Sequence, residues 1–502
     1  MLRKRSLLIA LPVLLLAVFL ALSGCGGGEK EDAVLRVGID TSLSTCDPHM
    51  TGDYADMVVL LNLFDPLVRR NNSGELQPSL ALSWELIEDT VWEFKLREGV
   101  KFHNGEEFNA DSVKYSLERV FKEGSKSPIQ ELRSIESVEV VDPLTVHITT
   151  KEVDPFVPDK LALYAGLMVP PQYIEEKGED YFHSNPIGTG PFIFKEWVKD
   201  GHLSATANKD YWNGAPKVPE IMIKFITDGQ ARVANLLSGD LDIINQVPAQ
   251  TVENIKGNED LRVDVAEGIR IQYLSIAYPD GPLSNKLVRQ AISYAVDTQS
   301  LIDVLLEGYG LRIAAPVNTS NFGSDVDLAP YPYDLEKARE LLAEAGYADG
   351  FEIEMNSREG YLEVAQSIAQ MLDKINIKVK VTPLPVAEYE DKYEGGELAP
   401  LWNLGYSIWQ GDPTTLIGSF FYTGMPRAKY YSDELDRMID DMRVMTDIEN
   451  RKEALHEILT VLHEDAPWVY LFQQNDLYGV KKNVSWKVPY DQIIELKTAE
   501  FK

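Results

Sequence analysis

The chain has 502 residues, 44% of them hydrophobic and 25% charged. That balance excludes a disordered chain, and the length exceeds one ordinary core, so two or three domains are expected. A formal net charge of −31 argues against nucleic acid and anionic membrane faces as partners.

Arg3, Lys4 and Arg5 open the chain, and an apolar run from Leu7 to Leu22 follows. The run ends in Leu22-Ser23-Gly24-Cys25. A basic head, a short apolar stretch and small residues at a cut site read as an export signal. With cysteine at the cut, the segment looks like a bacterial lipoprotein signal over residues 1–24, and Cys25 becomes the lipid-bearing first residue. The run is nearly long enough to span a bilayer. The small residues and the polar, glycine-rich tether over residues 25–33 favour cleavage instead. Residues 1–24 carry three positive charges and no acid, so the mature chain stands near −34. Such a surface argues that the anchor is lipid and not a basic patch. Cys46 is then left with no disulfide partner and reads as a small buried hydrophobe.

Alternation predicts a strand over Val34 to Asp40, and an apolar stretch predicts a helix over Met57 to Leu67. Strands are expected at Leu82 to Glu88, Val91 to Leu96, Ile135 to Val141 and Thr145 to Thr149. A helix over Asn109 to Phe121 lies between them, with Asp111 opening it. Beyond Ile187-Gly188-Thr189-Gly190-Pro191, strands and helices alternate as in an α/β layer. Lys286 to Val296 and Leu335 to Ala345 read as helices, the second opened by Asp334 and stopped by Gly346. Phe351 to Met355, Tyr361 to Lys374 and Val379 to Val381 read strand, helix, strand, a βαβ unit.

Several stretches carry a resemblance. The segment from Trp92 through Glu93, Phe94, Gly99, Phe102 and Asn104 to Gly105 resembles the signature of family 5 extracellular solute-binding proteins, the oligopeptide-, dipeptide- and nickel-binding relatives that serve ABC importers. Ile187 to Phe192, Asn208 to Trp212, Ser238 to Asp242, Val288 to Asp297 and Tyr333 to Tyr347 continue it in order. The resemblance implies an α/β fold, a two-lobed periplasmic-binding-protein type II clamp of cluster C with an extra inserted α+β domain. One lobe would combine residues 34–71, 187–279 and 473–502; the insert would be 72–186 and the second lobe 280–472. It implies a monomeric receptor at the periplasmic or extracellular face, held by lipid on Cys25. Its partners would be a small-molecule or peptide ligand and the permease subunits of an importer, with no cofactor, metal or nucleic acid.

In peptide-binding relatives an aspartate four residues before the proline of a segment like Trp402 to Pro413 pairs with the peptide's amino group. Here that position is Trp409. Without the carboxylate, a buried ammonium loses its charge partner. Trp409 and Tyr406 offer flat apolar faces instead, which stack on sugar or aromatic rings or cage cations. Arg358 stands near the arginine that holds a ligand carboxylate in dipeptide-binding relatives, a task suited to a guanidinium fork. It competes with the simpler expectation that Arg358 pairs with Glu359 or lies in solvent. Ser44, Thr45 and Cys46 follow the first strand, where the family lines its cleft; Thr189 and Asn245 are further candidates near the crossing strands. Asp412, one residue before Pro413, reads as a structural acid.

No nucleophile elbow, phosphate loop or paired-cysteine zinc motif is present. His456 and His463 stand seven residues apart, too far for one zinc site on a helix. No catalytic residue is assigned, and a secreted hydrolase is the weaker reading beside a binding protein.

Overall fold

Leu35, Val37 and Ile39 alternate into the interior of the first strand, Val34–Ile39. That strand pairs in parallel with Glu220–Phe225 on one side and with Ile243–Ile244 on the other. The structure, a computed structural model, describes residues 34–502 except 52, 53, 72, 73, 277 and 410. The signal, the tether and Cys25 lie outside the described residues.

An eleven-stranded mixed sheet runs through both lobes. From one edge its order is Ile377–Leu384, Phe351–Arg358, Leu401–Ser407, Leu261–Ser275, Trp468–Lys481, Ile243–Ile244, Val34–Ile39, Glu220–Phe225, His202–Ala207 and Phe192–Val198; Gly310–Arg312 pairs off this path with Trp468–Lys481. Phe351–Arg358 and Ile377–Leu384 are parallel, with the helix Leu362–Asp373 between them in the chain. This is the expected βαβ unit, with longer strands than the sequence suggested.

The two longest strands, Leu261–Ser275 and Trp468–Lys481, run antiparallel through the middle. At one end Tyr478 and Val480 belong to the core around Leu35 and Ile221. At the other end Ile271, Tyr273, Trp468 and Tyr470 belong to the core around Trp402, Phe420 and Leu459. Between the two cores the register slips from Ala266 to Arg270. Gly268 stands there at φ 72°. A Cβ on it would lie 2.4 Å from the Gln474 carbonyl oxygen, so only glycine fits. The bulge leaves carbonyls without ladder partners, and side-chain amides satisfy them. Buried Gln473 donates from Nε2 to Glu267 O (3.3 Å) and Gly268 O (2.8 Å), and Asn318 Nδ2 donates to Ile269 O (3.0 Å).

The insert has its own antiparallel sheet, in the order Ala81–Glu88, Val91–Leu96, Thr145–Thr150, Ile135–Asp142. Helix Ala110–Phe121 covers it through Val113, Leu117 and Val120, which join the core of Phe94 and Ile148. Asn109, rather than Asp111, starts this helix: its side chain accepts from Asp111 N and Ser112 N in a capping box. The stretch expected as a helix from Met57 to Leu67 is helical only as Tyr54–Leu60. Beyond Leu60 the carbonyls of Asn62 and Leu63 accept from Phe192 N (3.0 Å) and Gly190 N (3.0 Å), which takes them out of the helical ladder. Among the described residues no helix is long and apolar enough to cross a membrane.

Gly268→Ala should lower the unfolding free energy by about 2–4 kcal/mol, from backbone strain and the clash with Gln474. Urea unfolding measures this; a loss under about 0.5 kcal/mol, the size of an ordinary surface change, would show that the bulge relaxes freely.

Candidate functional site

Three neighbouring strands of the second lobe carry the candidate polar residues. Arg358 ends Phe351–Arg358, Ser407 ends Leu401–Ser407, and Arg270 faces Ser407 from the strand that has just passed the bulge. The first two strands are parallel, and Arg358 and Ser407 mark their carboxyl ends. Ligands of open α/β sheets bind at such ends.

Ile408 N donates to Ile269 O (3.4 Å), and Trp409 follows. Trp409 follows the strand Leu401–Ser407 of the second lobe, yet it packs against the core that joins Leu35, Phe64 and Ile221 of the first lobe to Leu163 and Phe182 of the insert. With Arg69, Arg70, Leu163, Tyr490 and Asp491 it lines a cavity of ≈ 20 Å³. Beside it lies a groove of ≈ 760 Å³ between the insert (Glu131, Phe156, Asp159) and the second lobe (Asp412, Thr414, Met425). The wall between the two is an ion pair: Arg70 of the small cavity meets Asp159 of the groove at 2.5 Å. The groove falls in the size range of small-molecule sites.

Tyr406 stands edge-on to Phe420, with ring centroids 5.7 Å apart. Burial raises its phenol pKa, and the positive charge of Arg427 opposes the rise. Arg358 pairs with Glu390 at 2.8 Å rather than with Glu359, and its guanidinium lies over the Tyr361 ring at 5.2 Å. Asp412 accepts from Thr414 N (2.8 Å) and pairs with Arg451. The Arg451 guanidinium is sandwiched by Phe156 of the insert (3.9 Å) and Phe322 (4.8 Å).

The remaining sequence candidates are held inside polar networks of the first lobe. Ser44 donates to Asp56 through its backbone N (2.8 Å) and its Oγ (2.5 Å), and Thr45 Oγ1 accepts from Asp47 N (3.1 Å). Cys46 is fully buried; burial pushes its thiol pKa up, and the charges of Asp56 and Asp47 add to this. Thr189 donates to Asp65 Oδ2 (2.9 Å), a carboxylate that also accepts from Trp212 (2.9 Å), Tyr211 (2.7 Å) and Arg69 (2.8 Å). Asn245 brackets Asp40, accepting from its N (3.0 Å) and donating to its Oδ1 (2.7 Å). Tyr406 and Trp409 thus stand near the end of one strand, Arg358 is tied to Glu390, and Thr189 reaches the Trp409 cavity only through Asp65 and Arg69.

Arg70, Arg270, Tyr490, Asp476 and Asp491 were not found from the sequence. Tyr490 and Asp491 sit in the C-terminal segment, which carries no motif. Asp476 did leave a trace: it is an acid inside the otherwise apolar strand Trp468–Lys481. Its Oδ1 accepts from Gln246 (3.0 Å) and Gln492 (2.6 Å), while its Oδ2 has no hydrogen-bond partner among the described residues. Among the described residues one trio, Asp47, Glu179 and His183, has metal-ligand spacing. The Arg119 guanidinium pairs with both of its carboxylates.

Burial pushes the Asp476 carboxyl up to about 6 against the opposing charge of Arg270. Burial likewise pushes Asp491 up to about 7, against the Ile493 N–H that it accepts at 3.0 Å. A raised folded-state pKa favours the protonated native form. The stability these groups contribute is complete below the unfolded value near 3.8 and is lost as pH climbs through about 6 and 7. For Asp476 the effect is on the order of 3 kcal/mol. The melting temperature of the ligand-free protein should therefore fall from pH 5 to pH 8, and Asp476→Asn should flatten that fall. An unchanged slope in the variant would refute the assignment.

Residues 75–426 match the family described as bacterial extracellular solute-binding proteins, family 5 middle. The chain is 29% identical over 458 residues to the glutathione-binding protein GsiB of Pectobacterium atrosepticum, covering 88% of each chain. It is 28% identical over 439 residues to heme-binding protein A of Haemophilus influenzae, covering 80% of this chain and 79% of that protein. A solved structure of the periplasmic binding protein AgaA from A. tumefaciens R10, in complex with agropinic acid, aligns with a TM-score of 0.76 at 28% identity over 94% of this chain and 99% of its own. With the family match spanning most of the sequence and the two-lobed cluster C fold around an interlobe cleft, the chain belongs to the bacterial extracellular solute-binding proteins of family 5.

Proposed function

We propose that this substrate-binding protein of an ABC importer captures a small carboxylate-bearing solute, peptide or peptide-like, in the cleft beside Trp409. It binds the solute between its lobes and delivers it to the membrane permease. The observation that carries the ligand reading is the placement of Trp409, a second-lobe side chain packed on the core shared by the first lobe and the insert, at the position where peptide-binding relatives carry an aspartate. A ligand there meets an aromatic face in place of an ammonium partner. Glutathione, heme and agropinic acid, named for the relatives, have carboxylates in common, which supports the class.

Capture needs no covalent step. The ligand stabilises the closed arrangement by binding it better than the open one. In our reading residues 34–71, 187–279 and 473–502 move as one lobe against 280–472, with the bulge at Gly268 as hinge. Cleavage before Cys25 and lipid on that residue would hold the receptor at the outer face of the membrane, as a monomer.

Thermal unfolding of residues 26–502 against short peptides, other small carboxylates and oligosaccharides tests the class. A ligand at a hundredfold its Kd adds about 2.7 kcal/mol of stability. Shifts with carboxylates support the reading; shifts with neutral sugars alone would turn Trp409 into a sugar platform. Trp409→Ala should weaken binding about tenfold or more while the protein stays folded, and unchanged affinity by calorimetry would remove Trp409 from the site. Cys25→Ser in the full precursor should move the protein from the membrane fraction to the soluble fraction; retention on the membrane would refute lipidation.

A further inference from the structure

The arginines along the cleft are committed to acids of this chain: Arg70 to Asp159, Arg358 to Glu390 and Arg451 to Asp412. Arg270 is the exception. Its one hydrogen bond among the described residues runs from Nε to Ser407 Oγ at a long 3.4 Å, and it takes part in no ion pair there. It is half-buried, and no acid is hydrogen-bonded to its two terminal nitrogens among the described residues. Asp476 feels the charge of Arg270; its Oδ1 accepts from Gln246 and Gln492, its Oδ2 has no hydrogen-bond partner among the described residues, and neither oxygen forms an ion pair with Arg270 there.

The position of Arg270 is fixed by the backbone. It is the first paired residue beyond the bulge, opposite Ser407 on one side and Gln474 on the other. Trp409 lies two residues past Ser407. Gly405 leaves the arginine its path: a Cβ there would stand 3.2 Å from Arg270 Cδ and 2.7 Å from the Tyr361 hydroxyl. Side chain and hinge therefore share one location, and a group bound to Arg270 lies between the lobes as they close.

We infer that Arg270 binds a carboxylate of the transported solute and sets the cleft's preference for anions, the part that the resemblance gave to Arg358. This rests on the carboxylate reading above. The guanidinium presents parallel N–H donors that match two carboxylate oxygens. Arg358 would have to leave Glu390 before it could do the same, whereas Arg270 gives up only its long contact with Ser407.

The test is calorimetry on residues 26–502 with glutathione and dialanine, each as the free acid and as its C-terminal amide, and with maltotriose as a neutral probe. The wild type should prefer an acid to its amide. Arg270→Gln should lose roughly 10- to 100-fold in affinity for the acid and keep its affinity for the amide. Arg270→Lys keeps the charge but not the fork, so it should fall between the two. It also serves as the working variant if circular dichroism shows the glutamine variant misfolded. Arg358→Gln should leave the preference for the acid intact. The inference is overturned if Arg270→Gln retains that preference, or if Arg358→Gln abolishes it instead. Binding of maltotriose alone would overturn both the clamp and the carboxylate reading while leaving a solute receptor. Saturation by a peptide acid and its amide alike would overturn the clamp alone, and a wild type that binds no probe would overturn both.

Discussion

Leu261–Ser275 and Trp468–Lys481 each belong to two hydrophobic cores, and that double membership is the constraint on which the rest depends. A strand that serves two bodies must bend between them. Bending opens the ladder at the bulge, and the freed carbonyls need donors from outside that ladder. Gln473 and Asn318 meet that need. Polar side chains therefore collect at the level where the lobes part, and Arg270 and Asp476 stand at that level too. In the proposed mechanism hinge and cleft floor are one set of residues, because one bend would produce both.

The same level is crossed by charged contacts that hold the insert against its neighbours. Arg451 is pinned between Phe156 and Phe322 and paired with Asp412, so the start of the second lobe's helix Thr414–Phe421 is set against the insert. Arg70 does the same for the first lobe through Asp159. Removing one member of such a pair strands the other charge in a buried place, which is costly even where the intact pair adds little stability. These pairs fix geometry, and they take most of the cleft's positive charge out of play.

Local elements were legible in the sequence because alternation and capping are short-range. Alternation marks both ends of Val91 to Leu96, and the position of Asp334 marks it as the cap of its helix. The Asn62–Leu63 turn was not legible, since the partners that take its carbonyls are Gly190 and Phe192, more than a hundred residues away. The site divides in the same way. Trp409 was singled out through its distance from Pro413, a local relation. Arg358 was found by position, but its partner Glu390 comes from another element. Ser44 to Cys46 follow the first strand as expected, yet Asp56 and Asp47 turn their polar groups inward. Arg270 carries no mark in one dimension: its isolation is defined by the acids that other arginines have taken.

Trp409 would also make the proposed closed state report on itself. Were the lobes to separate as proposed, its indole would leave the apolar surface of the first lobe and the insert for water, while Trp402 and Trp468 would stay within the second-lobe core. Emission from Trp409 shifts to longer wavelength in water. On the proposed motion the receptor would carry an intrinsic optical probe at its own junction, and stopped-flow mixing would time that motion without any label.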